Sequence, residues 1–280
     1  MAKKKAAPGE TSDRDKPIKA YKNLDFLRSR SGRGLRIMSE FVEPEDRFER
    51  HRISDTIVFF GSARILPRDE AEDALAAAKA GGDDVPAAQH ALDMSRYYEE
   101  ARALSGRLTT WSKGLKGNAK RFVICTGGGP GIMEAANRGA AEAKGHNVGL
   151  NISLPFEQHE NPYITPELAF DFHYFFMRKF WFSYLAKAMV VFPGGYGTMD
   201  EFFELLTLLS TQKMGKPMPV ILYGTEYWNE VMNLDAMVKY GTISASDLDL
   251  FYRTDSVEDA YDYITDKLTK HHIDKPGGTM

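Results

Sequence analysis

The chain is poor in several features that mark other classes of protein. It has one cysteine, Cys125, which excludes an internal disulfide framework and a cysteine-rich zinc site. With 24 Gly and 13 Pro among 280 residues, it is neither collagenous nor of low complexity. Its longest apolar runs, such as 180–186 and 188–192, are far shorter than the ~18 residues that a membrane span needs. These absences predict a soluble globular protein.

The sequence carries no pattern typical of a metal site or of an export signal. The seven histidines form no HxxxH pair, so we expect no catalytic metal, and we expect no cofactor. The first 16 residues, MAKKKAAPGETSDRDK, lack an apolar signal core and are predicted to be a solvated tail. We therefore expect a cytoplasmic protein with no membrane segment. Cys125 lies in an apolar run without a nearby base, which predicts a buried, inert thiol.

Charge is unevenly distributed, although the formal net charge is only −3. Residues 1–52 contain 14 Lys and Arg against 9 Asp and Glu, a net of +5, which leaves −8 on the remainder. A basic segment could bind nucleic acid, but acids interrupt this one and the body is acidic, so that function is disfavoured. We predict that residues 1–50 are a flexible basic leader with a docking helix, and that 51–275 form the domain.

Short apolar strands alternate with helical segments along the predicted domain. Predicted strands are 56–61, 121–126, 147–154, 170–176, 188–192 and 218–223, with a short run at 250–252. Predicted helices are 69–80, 86–111, 132–144, 177–187, 199–213, 225–240 and 257–270. This alternation indicates an α/β fold, a doubly wound, Rossmann-like parallel sheet in a single domain with an N-terminal extension. Such sheets bind ligands at the carboxyl ends of their strands.

A first glycine loop, Gly127-Gly128-Gly129-Pro130-Gly131, joins the second predicted strand to a helix. Glycine allows positive φ and close approach of a ligand, and N–H groups at a helix start bind anions. The spacing is not GxxxxGK[ST] and no Lys follows it, which argues against ATP or GTP hydrolysis. Taken alone, the loop fits either a phosphate site or a tight strand-to-helix turn.

A second loop, Pro193-Gly194-Gly195-Tyr196-Gly197-Thr198, has the same position between a strand and a helix. The Thr198 hydroxyl can cap that helix and can also donate to a phosphate oxygen. If the two preceding strands are neighbours, both helix starts converge on one anion. The two loops together indicate a phosphate-bearing ligand.

Four charged residues stand close to the second loop. Asp200 and Glu201 lie in the first turn of its helix, where acids are ordinary partners of the helix dipole. A carboxylate beside a phosphate would repel it, however, which suggests that the acid acts on another part of the ligand, such as its sugar. Arg178 and Lys179 open the preceding helix, where cations oppose the dipole, so they are either solvated or meet an anion at the sheet edge.

Three sequence blocks, in order, resemble one known family. GGGPGIMEAANRGA at 127–140, FMRK at 176–179 and PGGYGTMDE at 193–201 are similar to the signatures of the LONELY GUY family, once labelled lysine decarboxylase-like. The resemblance extends from about Phe59, in FFGSAR, to Tyr223, and the N-terminal extension is typical of longer members. No lysine stands out as a pyridoxal phosphate anchor, so the decarboxylase label lacks support.

The resemblance implies a phosphoribohydrolase, which cleaves the N-glycosidic bond of a purine nucleoside 5′-monophosphate to free base and ribose 5-phosphate. The implied substrate is AMP or an N6-substituted AMP, a cytokinin ribotide. Arg178 and Glu201 correspond to the catalytic pair. The candidate substrate- and phosphate-binding residues are Ser62, Gly127, Gly128, Gly129, Gly131, Glu157, Lys179, Gly194, Gly195, Gly197, Thr198 and Thr207. Glu157 and Thr207 are carried over by offset alone.

Several alternatives stay open at the level of sequence. Phe176-Met177 stands where plant-type members usually have His, which leaves base specificity open, and the stereochemical course is open too. The main rival is a non-catalytic nucleotide-binding carrier or regulatory protein, which would need neither Arg178 nor Glu201. The aromatic run 170–182 fits base stacking or, better, core and subunit packing, so we expect a homodimer or a higher homo-oligomer.

Overall fold

Seven parallel strands form one sheet in the computed structural model, which describes residues 17–81, 84–154 and 161–278. The strands are β1 (Thr56–Phe60), β2 (Val123–Thr126), β3 (Asn147–Ile152), β4 (Ala169–Phe172), β5 (Ala186–Val191), β6 (Val220–Tyr223) and β7 (Tyr252–Thr254). Their order across the sheet is β4-β3-β2-β1-β5-β6-β7, and each neighbouring pair is parallel.

Helices lie before, between and after these strands. They are α1 (Leu24–Arg28), α2 (Arg33–His51), α3 (Arg68–Gly81), α4 (Val85–Met94), α5 (Arg96–Lys113), α6 (Ile132–Glu142), α7 (Phe175–Leu185), α8 (Tyr196–Ser210), α9 (Thr225–Val231), α10 (Leu234–Lys239) and α11 (Val257–His272). None of the helices in the described ranges has both the length and the apolarity needed to cross a bilayer.

Both faces of the sheet are covered, and alternate side chains of a strand therefore enter different clusters. Ile57 and Phe59 of β1 pack in a cluster with α5, α6 and α11. Val58 and Phe60 pack in the other cluster, with α2, α7 and α8. Burial on both faces explains the continuous apolar runs of the sequence. The prediction of a doubly wound α/β sheet is confirmed.

The chain changes its direction of winding between β1 and β5. From β1 it proceeds outward through β2 and β3 to β4, and it then returns to place β5 on the other side of β1. The two strands pair along β1, with Phe59 opposite Val190. Doubly wound sheets bind ligands at such a reversal, outside the carboxyl ends of the strands.

Helix α2 packs on the face that carries α7. The ring of Phe48 lies 5.0 Å from that of Phe170 and 5.3 Å from that of Trp181, centroid to centroid. The indole N–H of Trp181 donates to the backbone carbonyl of Glu40 over 3.0 Å. The predicted boundary at residue 50 falls inside α2 and stays a prediction. The predicted solvated tail, residues 1–16, lies outside the described residues.

The fourth strand is shorter than its sequence pattern indicates. It was expected to run to residue 176 but ends at Phe172, and α7 begins at Phe175. The carboxylate of Glu40 accepts hydrogen bonds from the N–H groups of His173 and Tyr174, at 2.9 and 3.2 Å. Glu40 thus holds the backbone after Phe172 away from β3, and the ladder between β3 and β4 ends at the Ile152–Phe172 pair.

Two predicted long helices are each divided in the structure. The segment 86–111 is separated into α4 and α5 at Ser95, whose hydroxyl donates to the Leu92 carbonyl over 2.7 Å. The segment 225–240 is separated into α9 and α10, because Asn233 caps α10 by accepting from the Ala236 N–H over 2.9 Å. Short polar side chains that bond to the nearby backbone commonly interrupt helices in this way.

Opposite the carboxyl ends of the strands, cationic side chains bind the carbonyls at the ends of four helices. The pairs are Lys120 with His51 of α2, Lys113 with Ala143 after α6, Lys216 with Ser183 of α7, and Arg121 with His272 of α11. Asp55 is fully buried there and accepts from Arg121 Nε and from the Phe122 N–H, each over 2.7 Å. Cations suit this edge because helix C-termini carry partial negative charge.

Candidate functional site

Both glycine loops contact the turn that follows β1. The strands before the loops, β2 and β5, are not neighbours, because β1 lies between them, so the condition for side-by-side helix starts is not met. The backbone of Ser62 joins the loops instead. Its N–H donates to Pro193 O over 2.9 Å, and its carbonyl accepts from the Ile132 N–H over 3.0 Å. The predicted residues Ser62, Gly131 and Gly194 thus meet at one point.

In the first loop, two glycines make room for side chains from neighbouring elements. A Cβ atom at Gly127 would lie 2.6 Å from Arg178 Nη2, and one at Gly128 would lie 2.6 Å from Asn151 Nδ2. Gly128 also has a φ of +75°, in the left-handed region that favours glycine. The buried Asn151 Nδ2 has no hydrogen-bond partner among the described residues. Arg178 and Asn151 therefore line the first loop.

A buried amide network holds the first loop from behind. Asn161 Nδ2 donates to the carbonyls of Gly128 and Gly129, each over 3.1 Å, and to Asn137 Oδ1 over 3.0 Å. Thr126 donates to Asn137 over 2.6 Å and accepts from the Gly128 N–H over 2.9 Å. Sequence reasoning missed these residues. The available signal was Asn137 itself, an amide among the small and apolar residues of the buried face of α6.

The second loop forms an open helix N-terminus. Helix α8 begins with Gly195 as its N-cap, and no described side chain caps it. Its first N–H groups have no intrahelical acceptor and lie at the positive end of the dipole. A Cβ at Gly195 or Gly197 would meet no described atom within 4 Å, so the space above this helix start is open. The start of α6 is less available, because Ile132 N–H already binds Ser62.

Arg178 is held at the carboxyl edge by the backbone and by an aromatic ring. Its Nε donates to Leu150 O over 2.7 Å, and its guanidinium carbon lies 5.1 Å from the ring centroid of Phe182. Burial lowers the pKa of Arg178, and the carboxylate of Glu201 opposes that shift. The guanidinium stays charged, because an arginine begins from a very high pKa.

Lys179 lies beside a group of three carboxylates on the first two turns of α8. Its Nζ lies 2.5 Å from Glu204, 2.8 Å from Asp200 and 3.5 Å from Glu201. Burial disfavours its charge, but the bonds to Asp200 and Glu204 outweigh that effect and raise the pKa of Lys179 to about 12. Within the described residues, no three His, Cys, Asp or Glu side chains are grouped to share a metal ion.

Glu201 is the buried member of this group, only 7% exposed. Burial raises its pKa to about 7, although Lys179 and Arg178 both favour the ionised form. A carboxyl with a pKa near neutrality is able to accept or donate a proton at physiological pH. Glu201 lies three residues after Thr198, one turn away on the same side of α8.

Two predicted residues are not placed among the others. Thr207 lies about 13 Å along α8 from Thr198. It is exposed, and its hydroxyl donates to Phe203 O over 2.7 Å. Glu157 lies outside the described residues. The structure brings together Ser62, both glycine loops, Thr198, Arg178, Lys179 and Glu201, and the binding roles of these residues stay predictions.

Comparisons with known proteins point to one family. A family profile described as "possible lysine decarboxylase" matches residues 133–264. A probable cytokinin riboside 5′-monophosphate phosphoribohydrolase of rice, Oryza sativa subsp. japonica, is 27% identical over 159 residues, which cover 56% of this chain and 67% of the relative.

Two solved structures also align with the chain. The molybdenum cofactor binding protein of Rippkaea orientalis is 18% identical, over 77% of this chain and 97% of its own, with a TM-score of 0.46. The Moco carrier protein of Chlamydomonas reinhardtii is 19% identical, over 77% of this chain and 99% of its own, with a TM-score of 0.43.

The sheet and the two loops at its carboxyl edge define a Rossmann-like α/β protein. Within that class, the profile match and the rice relative support the resemblance of the chain to the LONELY GUY family. Both comparisons agree with the family resemblance that the three sequence blocks indicate.

Proposed function

We propose that the protein is a nucleoside 5′-monophosphate phosphoribohydrolase. It hydrolyses the N-glycosidic bond of AMP or of an N6-substituted AMP, giving the free base and ribose 5-phosphate. The observation that carries the proposal is Glu201, a buried carboxyl with a pKa of about 7, one turn from an open helix N-terminus. The name of the rice relative, a probable phosphoribohydrolase, supports the same reaction class.

The 5′-phosphate binds at the start of α8 in this proposal. Backbone N–H groups of Gly197 and Thr198 donate to its oxygens, and the Thr198 hydroxyl adds a further donor. Glu201 then lies about 4.5 Å farther along the helix axis, on the scale of the ribose that separates the phosphate from the glycosidic carbon. The phosphate is thus bound at a distance from the reacting bond, and its binding positions the sugar beside the Glu201 carboxyl.

Cleavage of the bond between C1′ and the base nitrogen places positive charge on the ribose. The bonding pair leaves with the base, while a water oxygen forms a new bond to C1′. The Glu201 carboxylate stabilises the cation and accepts the proton of the attacking water, which then passes to the departing base. Arg178, fixed by Leu150 O, orients Glu201 and keeps it partly ionised near neutral pH.

The test is base release from a panel of AMP, N6-substituted AMP, other 5′-monophosphates and adenosine. We expect release from AMP or its N6-substituted forms and none from adenosine, which lacks the phosphate. Glu201→Gln should lower kcat by at least about 100-fold, with little loss of AMP affinity. Glu226→Gln, which removes a carboxylate that is 88% exposed, serves as the matched control. AMP binding without release of base from any nucleotide would overturn the proposal and favour a carrier.

We further propose that the protein acts as a cytoplasmic homodimer. Leu35, Met38 and Val42 form an exposed apolar stripe on α2, and Phe175 and Phe176 are exposed at the start of the helix that carries Arg178. Symmetric apolar patches of this kind favour association of identical chains. Met38→Glu should shift the mass measured by light scattering from two chains to one. A wild-type chain that is monomeric at micromolar concentration would contradict the proposal.

A further inference from the structure

The Lys179 ammonium lies among three acids but does not bind them equally. Its distances to Glu204 and Asp200 are 2.5 and 2.8 Å, short enough for direct charged hydrogen bonds. Its distance to Glu201 is 3.5 Å, which is beyond the usual range of such a bond. The cation therefore binds the two more exposed acids and leaves the buried one without a direct hydrogen bond from Lys179.

The helix geometry explains why Glu204 competes with Glu201 for the same cation. The two residues are three apart on α8, so that both side chains lie on one face of the helix, toward Lys179 of α7. The side chain of Glu204 is 37% exposed and that of Glu201 is 8% exposed. Glu204 therefore gives up less hydration than Glu201 would when it pairs with the ammonium.

We propose that Glu204 is a positioning residue: by holding the Lys179 ammonium at its own carboxylate, it prevents a full ion pair at Glu201 and leaves Glu201 free to exchange a proton during turnover. This inference rests on the proposed function, in which Glu201 takes and returns a proton. Asp200 assists as a second partner of the same ammonium. Glu204 itself touches neither the substrate nor the reacting atoms.

The charges around Glu201 all act in the direction that this arrangement requires. Burial raises the pKa of Glu201. The cations of Lys179 and Arg178, both on α7, lower that pKa, and the carboxylates of Glu204 and Asp200 on α8 raise it. Loss of the Glu204 charge has two effects with the same sign. It removes a nearby anion and it frees the ammonium to approach Glu201, so both effects favour the ionised form of Glu201.

The test compares wild-type protein with Glu204→Gln, which keeps an acceptor oxygen and removes the charge. We expect the limb of the kcat/KM–pH profile that Glu201 controls to move toward lower pH by about one unit. Titration of Glu201 followed by ¹³C NMR of its carboxyl carbon should move in the same direction, with or without substrate. Glu204→Asp, which keeps the charge, should restore most of the wild-type profile, and Glu226→Gln should not shift it.

The outcomes separate this inference from the function on which it rests. An unchanged NMR titration and pH profile in a folded, active Glu204→Gln protein would overturn the inference and leave hydrolysis intact. A uniform loss of activity at every pH, with no shift of either titration, would show a merely structural role and would also overturn it. Absence of base release by the wild-type protein would overturn the proposed function, while the NMR titration would still decide whether Glu204 controls Glu201.

Discussion

At the scale of single residues, Glu201 has properties that oppose stability. It is 7% exposed, and burial raises its pKa from 4.5 to about 7. Between these two pH values the folded chain holds a proton on Glu201 that the unfolded chain has released. The unfolding free energy therefore falls as the pH rises through this interval, and the full cost is present above pH 7.

Glu201→Gln should accordingly stabilise the fold in a pH-dependent manner. A shift from 4.5 to about 7 corresponds to at most about 3 kcal/mol at pH 8, because one pKa unit is about 1.4 kcal/mol. At pH 5 most of this difference should vanish. Urea unfolding at the two pH values measures it, with the exposed Glu230→Gln as control. Equal stability of Glu201→Gln and wild type at pH 8 would contradict the expected cost of the buried charge.

At the scale of elements, two glycines of the second loop have different structural roles. A Cβ at Gly194 would overlap the Thr198 side chain and lie 3.0 Å from the Ser62 nitrogen, in closely packed surroundings. At Gly197 a Cβ would meet no described atom within 4 Å. Gly194 is needed for packing of the loop against β1, whereas Gly197 keeps the space above the α8 start free.

Gly194→Ala should therefore affect mainly stability, and Gly197→Ala mainly AMP binding. We expect Gly194→Ala to lose about 1–3 kcal/mol of stability through overpacking. Gly197→Ala should fold at least as stably as wild type, because alanine is favoured in a helix, but should bind AMP more weakly by crowding the phosphate. Thermal unfolding and AMP titration separate the two effects. Strong destabilisation by Gly197→Ala would contradict the open space at that position.

Both glycine loops were predictable because their signals are local: an apolar strand, several glycines and a helix follow one another within about 20 residues. The end of β4 was not, because it depends on Glu40, which is more than 130 positions away in the sequence. The position of β1 between β2 and β5 was not predictable for the same reason, because strand order depends on contacts between residues that are far apart in the sequence. Asn151 and Asn161 carry no motif, and only the fold places them at the first loop.

At the scale of the whole molecule, the two edges of the parallel sheet, at the carboxyl ends and at the amino ends of its strands, meet opposite partial charges of the helices. Helices of one orientation direct their N-termini to the glycine-loop edge and their C-termini to the other. Lys113, Lys120, Arg121 and Lys216 bind carbonyls at this second edge. Asp55 is buried beside them and accepts from Arg121, whose side chain is only 9% exposed.

Asp55→Ala should thus be severely destabilising without altering the proposed chemistry. It leaves the Arg121 guanidinium without its carboxylate and removes the acceptor of the Phe122 N–H. Breaking a buried pair from one side costs about 3–5 kcal/mol. Asp46→Ala, at an exposed ion pair with Arg50, should cost less than about 1 kcal/mol. Urea unfolding gives both values, and a small effect of Asp55→Ala would contradict a structural role for this edge.

Ser62 joins the two loops through its main chain alone, since its N–H binds Pro193 O and its carbonyl binds Ile132 N–H. Every amino acid except proline offers the same two groups, so replacement of this side chain leaves the linkage between the loops in place. The position can therefore vary during evolution without loss of the loop arrangement. Its side chain, whose hydroxyl accepts from the Arg64 N–H over 3.1 Å, takes no part in the linkage and can change with a new ligand, while the backbone that supports the site is inherited unchanged.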